Sequence, residues 1–296
     1  MTHTARRAAV LGHPIGHSKS PLLHRAAYRY LGFDCTYDAV DVPEEQAAAF
    51  AAALRDPAAA EPQWAGLSVT MPLKSALLPA MDRLTSMAAA LQVLNTVTFE
   101  YTDSGVVLTG HNTDVTGIVR ALRQAGSRPQ PRIAVLGSGG TSCAAVAAAG
   151  LLGAAGVSVY ARSFRPGADG TVAVQAAGER TGTPVTLHSW EDAAAACSAA
   201  DVVISTLPPR AADQLAETVA AACGDRTGAV LLDVAYDPWP SRIAQVWMEA
   251  GGTIVPGREM LLYQAVEQVR LFTGDKFRDE AAVINVMCDA VGAPRR

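Results

Sequence analysis

Lysine is rare in this sequence, so each lysine position is informative. The chain has 24 lysine and arginine residues, and only Lys19, Lys74 and Lys276 are lysines. Arginine stays protonated at any usable pH and serves where a fixed charge is enough, whereas a lysine ammonium can exchange its proton in a reaction. Lys74, in SVTMPLK, is therefore a candidate proton donor or acceptor. The alternative is a structural ion pair or a solvated surface charge, the commoner fate of a lysine.

Three further polar segments offer binding groups. Ser18 and Ser20 lie two residues apart in GHSKSPLLH, and in an extended segment both hydroxyls would point to one side and could bind one anionic group. The alternative is that one serine only caps the helix beginning near Pro21. LNTVTF puts Asn95 at a strand start, and NTDVTG puts Asp114 before a helix. Taken singly, these two could equally be a turn and a cap.

A glycine-rich turn, VLGSGGTS, follows a buried strand and opens a helix of small residues. Gly137 and Gly139 match the first two glycines of a dinucleotide-binding turn, and Ser142 takes the third position. Backbone N–H groups at the helix start would face a pyrophosphate. The expected cofactor contacts here are Gly137, Ser138, Gly139, Gly140 and Thr141. The alternative is an ordinary tight turn.

The next strand end, YARSFRPG, indicates which dinucleotide would bind. An NAD-binding protein normally has an acidic residue there to contact the ribose hydroxyls, and this segment has none. Instead Arg162, Ser163 and Arg165 could bind a 2′-phosphate, which favours NADP. A solvated loop charge is the alternative, more credible for Arg165 than for Arg162.

The elements that must position these residues read as two α/β units. RRAAVLG, CTYDAVDV and WAGLSVTM have the pattern of strands, and SPLLHRAAYRYLG and PEEQAAAFAAALRD that of helices. After a turn at AGSRPQP, the segment from RIAVLG to VSVYAR is one βαβ unit, with more strands at ADVVIS and GAVLLDV. We expect an N-terminal α/β domain and a Rossmann-type domain with a mainly parallel sheet. The helical tail REMLLYQAVEQVRLFTG should pack on the first unit.

Composition excludes several classes of partner. The chain is 50% hydrophobic and 18% charged, with a net charge of −4 and no cluster of basic residues, which argues against nucleic acid or an anionic membrane. We predict no membrane helix and no signal peptide. Five widely spaced cysteines favour a reducing cytoplasm, and the absence of ligand-spaced histidines predicts no metal site.

Six motifs, in order, resemble those of the shikimate dehydrogenase family over nearly the whole chain. They are GHSKSP, SVTMPLK, LNT, NTDVTG, VLGSGG and GREMLLYQ. The resemblance implies an NADPH-dependent, reversible reduction of 3-dehydroshikimate to shikimate in chorismate and aromatic amino acid biosynthesis. It also implies a substrate-binding domain at 1–113 plus 257–296 and an NADP-binding Rossmann domain at 114–256. Family members include monomers and homodimers.

The resemblance also implies roles for single residues. Lys74 and Asp114 would be the catalytic pair, with Lys74 giving a proton to the developing alkoxide. Gly257 would lie close to the nicotinamide. The residues expected to bind the substrate carboxylate and ring are Ser18, Ser20, Ser68, Thr70, Asn95, Tyr236 and Gln264.

Departures from the family pattern keep other readings open. Ser68 stands where the family usually has asparagine, and Ala161 and Pro166 differ around the expected 2′-phosphate site. A quinate/shikimate or aminoshikimate dehydrogenase, with NAD in place of NADP, is therefore the closest alternative. A non-catalytic ligand sensor and a folate-type dehydrogenase are more distant ones. The intact Lys74 and Asp114 argue against a non-catalytic sensor. The paired serines argue against a folate-type dehydrogenase, in which they would have no explained role.

Overall fold

Strands and helices alternate along the chain in the computed structural model, which describes residues 5–55, 62–162, 169–222 and 224–296. The strands are β1 (Arg6–Gly12), β2 (Cys35–Asp41), β3 (Trp64–Val69), β4 (Arg83–Leu84), β5 (Thr96–Thr102), β6 (Gly105–His111), β7 (Ile133–Leu136), β8 (Val157–Ala161), β9 (Val185–Ser189), β10 (Val202–Ser205), β11 (Val230–Asp233) and β12 (Thr253–Pro256).

The helices are α1 (Ser20–Leu31), α2 (Ala47–Ala53), α3 (Leu73–Ala76), α4 (Ser86–Leu91), α5 (Asp114–Gln124), α6 (Gly140–Leu151), α7 (Asp169–Thr181), α8 (Ala193–Ala199), α9 (Asp213–Ala222), α10 (Arg242–Glu249), α11 (Gly257–Thr273) and α12 (Glu280–Ala290). Two compact units contain these elements: Met1–Thr113 with Leu262–Arg296, and Asp114–Leu261. The predicted domain limits stay a prediction. The observed units differ from them by including 257–261 in the second unit.

The first unit contains a mixed six-stranded sheet with the order β2-β1-β3-β5-β6-β4. β1 pairs in parallel with β2 and β3, whereas β5 runs antiparallel to both β3 and β6. Leucine, valine and alanine side chains from β1, β3, β5 and β6 form the core on one face, where α2 and α3 cover them. The C-terminal ends of β1 and β3 and the start of β5 therefore lie at one edge of the sheet.

Helix α1 begins and ends where its sequence predicts. Pro21 lies in its first turn, where a missing N–H costs nothing, and Gly32 ends it with φ +60°, the left-handed conformation that glycine adopts without strain. The C-terminal segment packs on the same unit. A methyl group on Gly66 of β3 would lie 2.0 Å from the ring of Phe272, so only glycine lets α11 approach the strand this closely.

The second unit is built on a six-stranded sheet in which every neighbouring pair is parallel. Its order is β12-β11-β10-β7-β8-β9, with the first strand in chain order at the centre. This is the doubly wound order of dinucleotide-binding folds, and the direction of winding reverses between β7 and β10. The predicted fold class, two α/β domains of which one is Rossmann-type, is confirmed. No helix within the described residues is long and apolar enough to span a membrane.

Candidate active site

The predicted substrate residues of the first unit cluster at the edge where β1 and β3 end and β5 begins. A methyl group on Gly12, the last residue of β1, would lie 2.4 Å from Thr70 Cγ2 and 2.9 Å from the Met71 carbonyl oxygen. The two loops are also tied by backbone hydrogen bonds, from Thr70 N to Leu11 O at 2.8 Å and from His13 N to Met71 O at 3.0 Å. The glycine therefore lets the loop after β1 and the loop after β3 pack as one layer.

Lys74 lies in α3, the single helical turn that follows the β3 loop, and it is half-buried. Its carbonyl accepts a hydrogen bond from Leu94 N at 3.0 Å, and the neighbouring Val69 N donates to Asn95 O at 2.7 Å. These bonds join the lysine's backbone to the segment that carries Asn95.

The two serines are arranged differently from the sequence-based expectation. The extended geometry predicted for this segment is wrong, because Lys19 has helical dihedral angles (φ −89°, ψ −6°) and the chain already turns there to begin α1. Neither serine caps the helix with its side chain. Instead the Ser18 hydroxyl accepts a hydrogen bond from Ser20 N at 3.3 Å. Ser20 is buried, Ser18 is half-buried and Lys19 is exposed, as expected for a solvated lysine.

Asn95 is the centre of a dense set of hydrogen bonds. Its Oδ1 accepts from Thr113 N at 2.7 Å and from Thr96 Oγ1 at 2.9 Å, which fixes the orientation of the amide. Its Nδ2 then donates to Thr113 Oγ1 at 2.9 Å and to Gln264 Oε1 at 3.3 Å. The structure therefore brings together two predicted substrate residues, Asn95 directly before β5 and Gln264 of α11. Both are at most 5% exposed.

A second glutamine, Gln268, connects this set to the other strands. Its Nε2 donates to Asn95 O at 3.1 Å and to Thr96 Oγ1 at 2.9 Å. Its Oε1 accepts from Ser68 Oγ at 2.7 Å, and His24 Nε2 lies 3.2 Å away. We use the name Gln268 network for the residues that these hydrogen bonds and those of Tyr37, described next, join together: Ser20, His24, Tyr37, Ser68, Asn95, Thr96, Thr113, Gln264 and Gln268.

Tyr37 extends the Gln268 network to the serine motif. Its hydroxyl donates to Ser68 Oγ at 2.6 Å and is also hydrogen-bonded to the side chain of Ser20. Tyr37 is fully buried, and burial raises the pKa of its hydroxyl. Ser68, predicted to bind substrate, thus has its hydroxyl between two buried partners. Four predicted substrate residues belong to one continuous chain of hydrogen bonds.

His24 forms one wall of this network. Its ring stacks on Tyr37 with a centroid distance of 4.0 Å, and its Nδ1 lies 3.2 Å from the phenolic oxygen of Tyr28. Since Gln268 Oε1 can only accept, His24 Nε2 must carry the proton and Nδ1 must accept from Tyr28. Complete burial lowers the pKa of His24 to about 3, partly offset by the hydrogen bond to Gln268. The imidazole is therefore neutral at physiological pH.

The glycine turn of the second unit has the geometry that a pyrophosphate requires. Gly137 has φ +112°, and a methyl group on it would lie 2.6 Å from Thr206 Oγ1. A methyl group on Gly139 would meet nothing within 4 Å, so the backbone there is open to a ligand. Ser142 is fully buried and its hydroxyl lies 2.7 Å from that of Thr206, which packs the start of α6 against the end of β10. These residues fit the pyrophosphate of a dinucleotide such as NADP, because the turn lies where the winding of the sheet reverses.

The other predicted residues of the second unit lie at the ends of its elements. Arg162 is exposed directly after β8, whereas Ser163 and Arg165 lie outside the described residues. Asp114 is buried in the first turn of α5, where the helix dipole favours a negative charge. A methyl group on Gly257 would lie 2.0 Å from Val234 O. The start of α11 therefore touches the backbone two residues before Tyr236. The Tyr236 side chain is half-buried, and burial raises the pKa of its hydroxyl.

Comparison with known proteins identifies the family. A family model described as the shikimate dehydrogenase substrate binding domain matches residues 10–97. A relative from Citrifermentans bemidjiense named "Shikimate dehydrogenase (NADP(+))" is 37% identical over 280 residues, which cover 93% of this chain and 92% of the relative. The chain belongs to the shikimate dehydrogenase family. The predicted resemblance is thus confirmed.

Solved structures of the family agree over the whole length. Mycobacterium tuberculosis shikimate dehydrogenase is 36% identical, with a TM-score of 0.80 and coverage of 97% of this chain and 99% of that one. The Thermus thermophilus enzyme, solved in complex with NADP(H) and shikimate, is 26% identical, with a TM-score of 0.75 and coverage of 96% and 99%. The fold of this family member is therefore that of a shikimate dehydrogenase in both units.

Sequence reasoning missed the buried members of the Gln268 network. Tyr37 and Gln268 contact the predicted substrate residues but belong to none of the family motifs quoted above. Thr113 lies within NTDVTG and contacts Asn95, but the motif suggested no role for it. One signal was available for Gln268, because it follows Gln264 by four residues and so shares its helix face. His24 packs against Tyr37 and takes part in two hydrogen-bonding contacts inside the unit. Within the described residues, no group of three histidine, cysteine or acidic side chains could hold a metal ion.

Proposed function

We propose that the protein catalyses the reversible NADPH-dependent reduction of 3-dehydroshikimate to shikimate. The observation that carries this proposal is similarity over more than nine-tenths of the chain to relatives named "Shikimate dehydrogenase (NADP(+))". The complex of the Thermus thermophilus enzyme with NADP(H) and shikimate supports the same pair of ligands. A quinate or aminoshikimate dehydrogenase that uses NAD is not favoured, because these relatives are named for shikimate and NADP.

The reaction adds a hydride to a carbonyl carbon and a proton to its oxygen. When bound, NADPH supplies the hydride. The Lys74 ammonium gives its proton to the developing alkoxide and stabilises the negative charge that grows on this oxygen before the transfer is complete. The Asp114 carboxylate accepts hydrogen bonds from substrate hydroxyls and orients the lysine. In the direction of oxidation the neutral Lys74 amine takes the proton back.

The remaining predicted residues bind the two ligands. Ser18 and Ser20 bind the carboxylate of shikimate, and Thr70, Asn95 and Gln264 bind its ring hydroxyls. The glycine turn from Gly137 to Thr141 holds the pyrophosphate of NADP with backbone N–H groups. Arg162, with Ser163 and Arg165, pairs with the 2′-phosphate, while Tyr236 and Gly257 border the nicotinamide.

The test of this proposal compares two lysines. Replacing Lys74 by methionine removes the proton donor but keeps the apolar part of the side chain, so kcat should fall by about 10²–10⁴-fold. Shikimate binding, measured by calorimetry, should persist. Lys276→Met is the matched control, because Lys276 is far from Lys74 in the sequence. Among the contacts described, its ammonium contacts only the Gly32 carbonyl and the Phe33 ring. Equal activities of the two variants would contradict the assigned role of Lys74.

A substrate panel tests the specificity. Initial rates with shikimate and quinate, each with NADP and NAD, should show shikimate with NADP as the best pair. A preference for quinate or for NAD would support the alternative dehydrogenase. We also propose that the enzyme works in the cytoplasm, because the four cysteines that the structure describes are free thiols, which suits a reducing compartment.

A further inference from the structure

Gln268 uses the full hydrogen-bonding capacity of its side-chain amide. Its amide has two donor hydrogens and two acceptor sites, and all four are used by Asn95 O, Thr96 Oγ1, Ser68 Oγ and His24 Nε2. A flipped amide would direct its oxygen at the Asn95 carbonyl, so only one orientation satisfies the set. The residue is 1% exposed, so a donor or acceptor left unpaired there could not be satisfied by water instead.

Apart from Gln268, the two strands that it joins are connected by a short ladder and by the backbone hydrogen bond from Val69 N to Asn95 O at 2.7 Å. The β3–β5 ladder has two residue pairs, Leu67 with Val97 and Ser68 with Thr96. Gln268 bonds the side chains of both members of the second pair, at the end of the ladder. The chain leaves β3 directly after this point toward Thr70 and Lys74, and it enters β5 from Asn95. Gln268 thus fixes the strand ends that lead to three predicted active-site residues, Thr70, Lys74 and Asn95.

Resting on the function proposed above, we infer that Gln268 is a positioning residue for shikimate binding. It acts through Asn95, whose carbonyl it holds, and through Ser68, whose hydroxyl it fixes against Tyr37. Gln268 itself is buried and makes its contacts with protein groups. Ser68 contributes through the same network by holding Gln268 and Tyr37 in place. The shape of the shikimate site on this unit therefore depends on the pair Ser68 and Gln268.

The pair is also matched in size. Ser68 Oγ lies 2.7 Å from Gln268 Oε1, so an asparagine at 68 would direct its amide into the volume that the glutamine amide fills. Shortening Gln268 to alanine removes this obstacle. The double variant Ser68→Asn/Gln268→Ala should therefore bind shikimate more tightly than Ser68→Asn alone, although each single change weakens binding.

The experiment measures shikimate affinity by calorimetry on the full chain without cofactor, together with KM and kcat. Gln268→Met keeps the length of the side chain and removes its hydrogen bonds. It should raise the Kd and the KM for shikimate by about tenfold or more, while kcat and the KM for NADP change by less than about threefold. Thr273→Val is the control, since Thr273 is buried in the same helix and its hydroxyl contacts only the Val269 carbonyl of that helix among the contacts described.

Each outcome decides the inference. A folded Gln268→Met protein that melts at a lower temperature but keeps the wild-type KM for shikimate would show that Gln268 has only a structural role. That result would overturn the inference. If this variant does not fold, the comparison of Ser68→Asn with the double variant decides, and equal affinities would overturn it. Wild-type protein that neither binds nor oxidises shikimate would refute the proposed function, and this inference with it. Wild-type activity with an unchanged variant would refute the inference alone.

Discussion

Replacing Gly12 by alanine should disable the enzyme through a contact that involves no substrate. The added methyl group would lie 2.4 Å from Thr70 Cγ2, about 1 Å inside ordinary contact distance, and 2.9 Å from the Met71 carbonyl oxygen. Thr70 is β-branched and its side chain has few alternative rotamers, and the carbonyl belongs to the backbone. The loop that carries Thr70 and leads to Lys74 must therefore move.

The size of the effect follows from that displacement. A shift of about 1 Å in reacting groups costs on the order of 10²-fold in rate, so kcat/KM for shikimate should fall by about that factor, or about 2.7 kcal/mol of transition-state stabilisation. Overpacking should also lower the free energy of unfolding by about 1–3 kcal/mol. The assay follows NADPH absorbance at several shikimate concentrations, and urea unfolding gives the stability.

The chain supplies a matched control in the same loop. A methyl group on Gly16 would meet nothing within 4 Å, so Gly16→Ala should leave both kcat/KM and the urea midpoint close to wild type. If Gly12→Ala and Gly16→Ala have the same kcat/KM, the close packing of the two loops does not position the catalytic lysine. The argument from Gly12 would then be refuted.

Two further predictions concern the glycine turn and the buried histidine. Gly137→Ala should weaken NADP binding and lower the free energy of unfolding by about 1–3 kcal/mol, because φ is +112° and the added methyl group would lie 2.6 Å from Thr206 Oγ1. Gly139→Ala should weaken NADP binding alone, because its methyl group would meet nothing within 4 Å. Calorimetry with NADP and urea unfolding of both variants separate the two effects. His24 has a pKa of about 3 in the folded protein and 6.5 as its reference value. Between these two pH values the unfolded chain binds a proton at His24 that the folded protein does not bind. The contribution of the neutral His24 to the free energy of unfolding is therefore fully present above pH 6.5, and it should fall below that pH by up to about 1.4 kcal/mol per pH unit. His24→Phe should lack this part of the slope in urea midpoints measured from neutral to mildly acidic pH, and an unchanged slope would contradict the neutral buried imidazole.

Local sequence signals predicted most of the elements that carry the site. Apolar runs and glycine ends identified β1, α1 and the strand, turn and helix around Gly137, because each signal depends on neighbouring residues. The conformation of the Ser18–Ser20 segment was predicted wrongly, since the helix begins one residue before the proline that suggested its start. The Gln268 network could not be derived at all from local signals. Its His24 and Gln268 are 244 residues apart in the chain, and only the completed fold makes them neighbours.

The interrupted course of the first unit has a consequence for synthesis on the ribosome. Residues 114–261 are contiguous and can complete their sheet while translation continues, whereas the unit begun earlier lacks residues 262–296 until these have also been made. Until Gln268 emerges, His24 and Ser68 are without a partner that they have in the native protein. The part made first is thus completed last, and a nascent polypeptide stalled before residue 262 would expose an unfinished interior to chaperones and proteases.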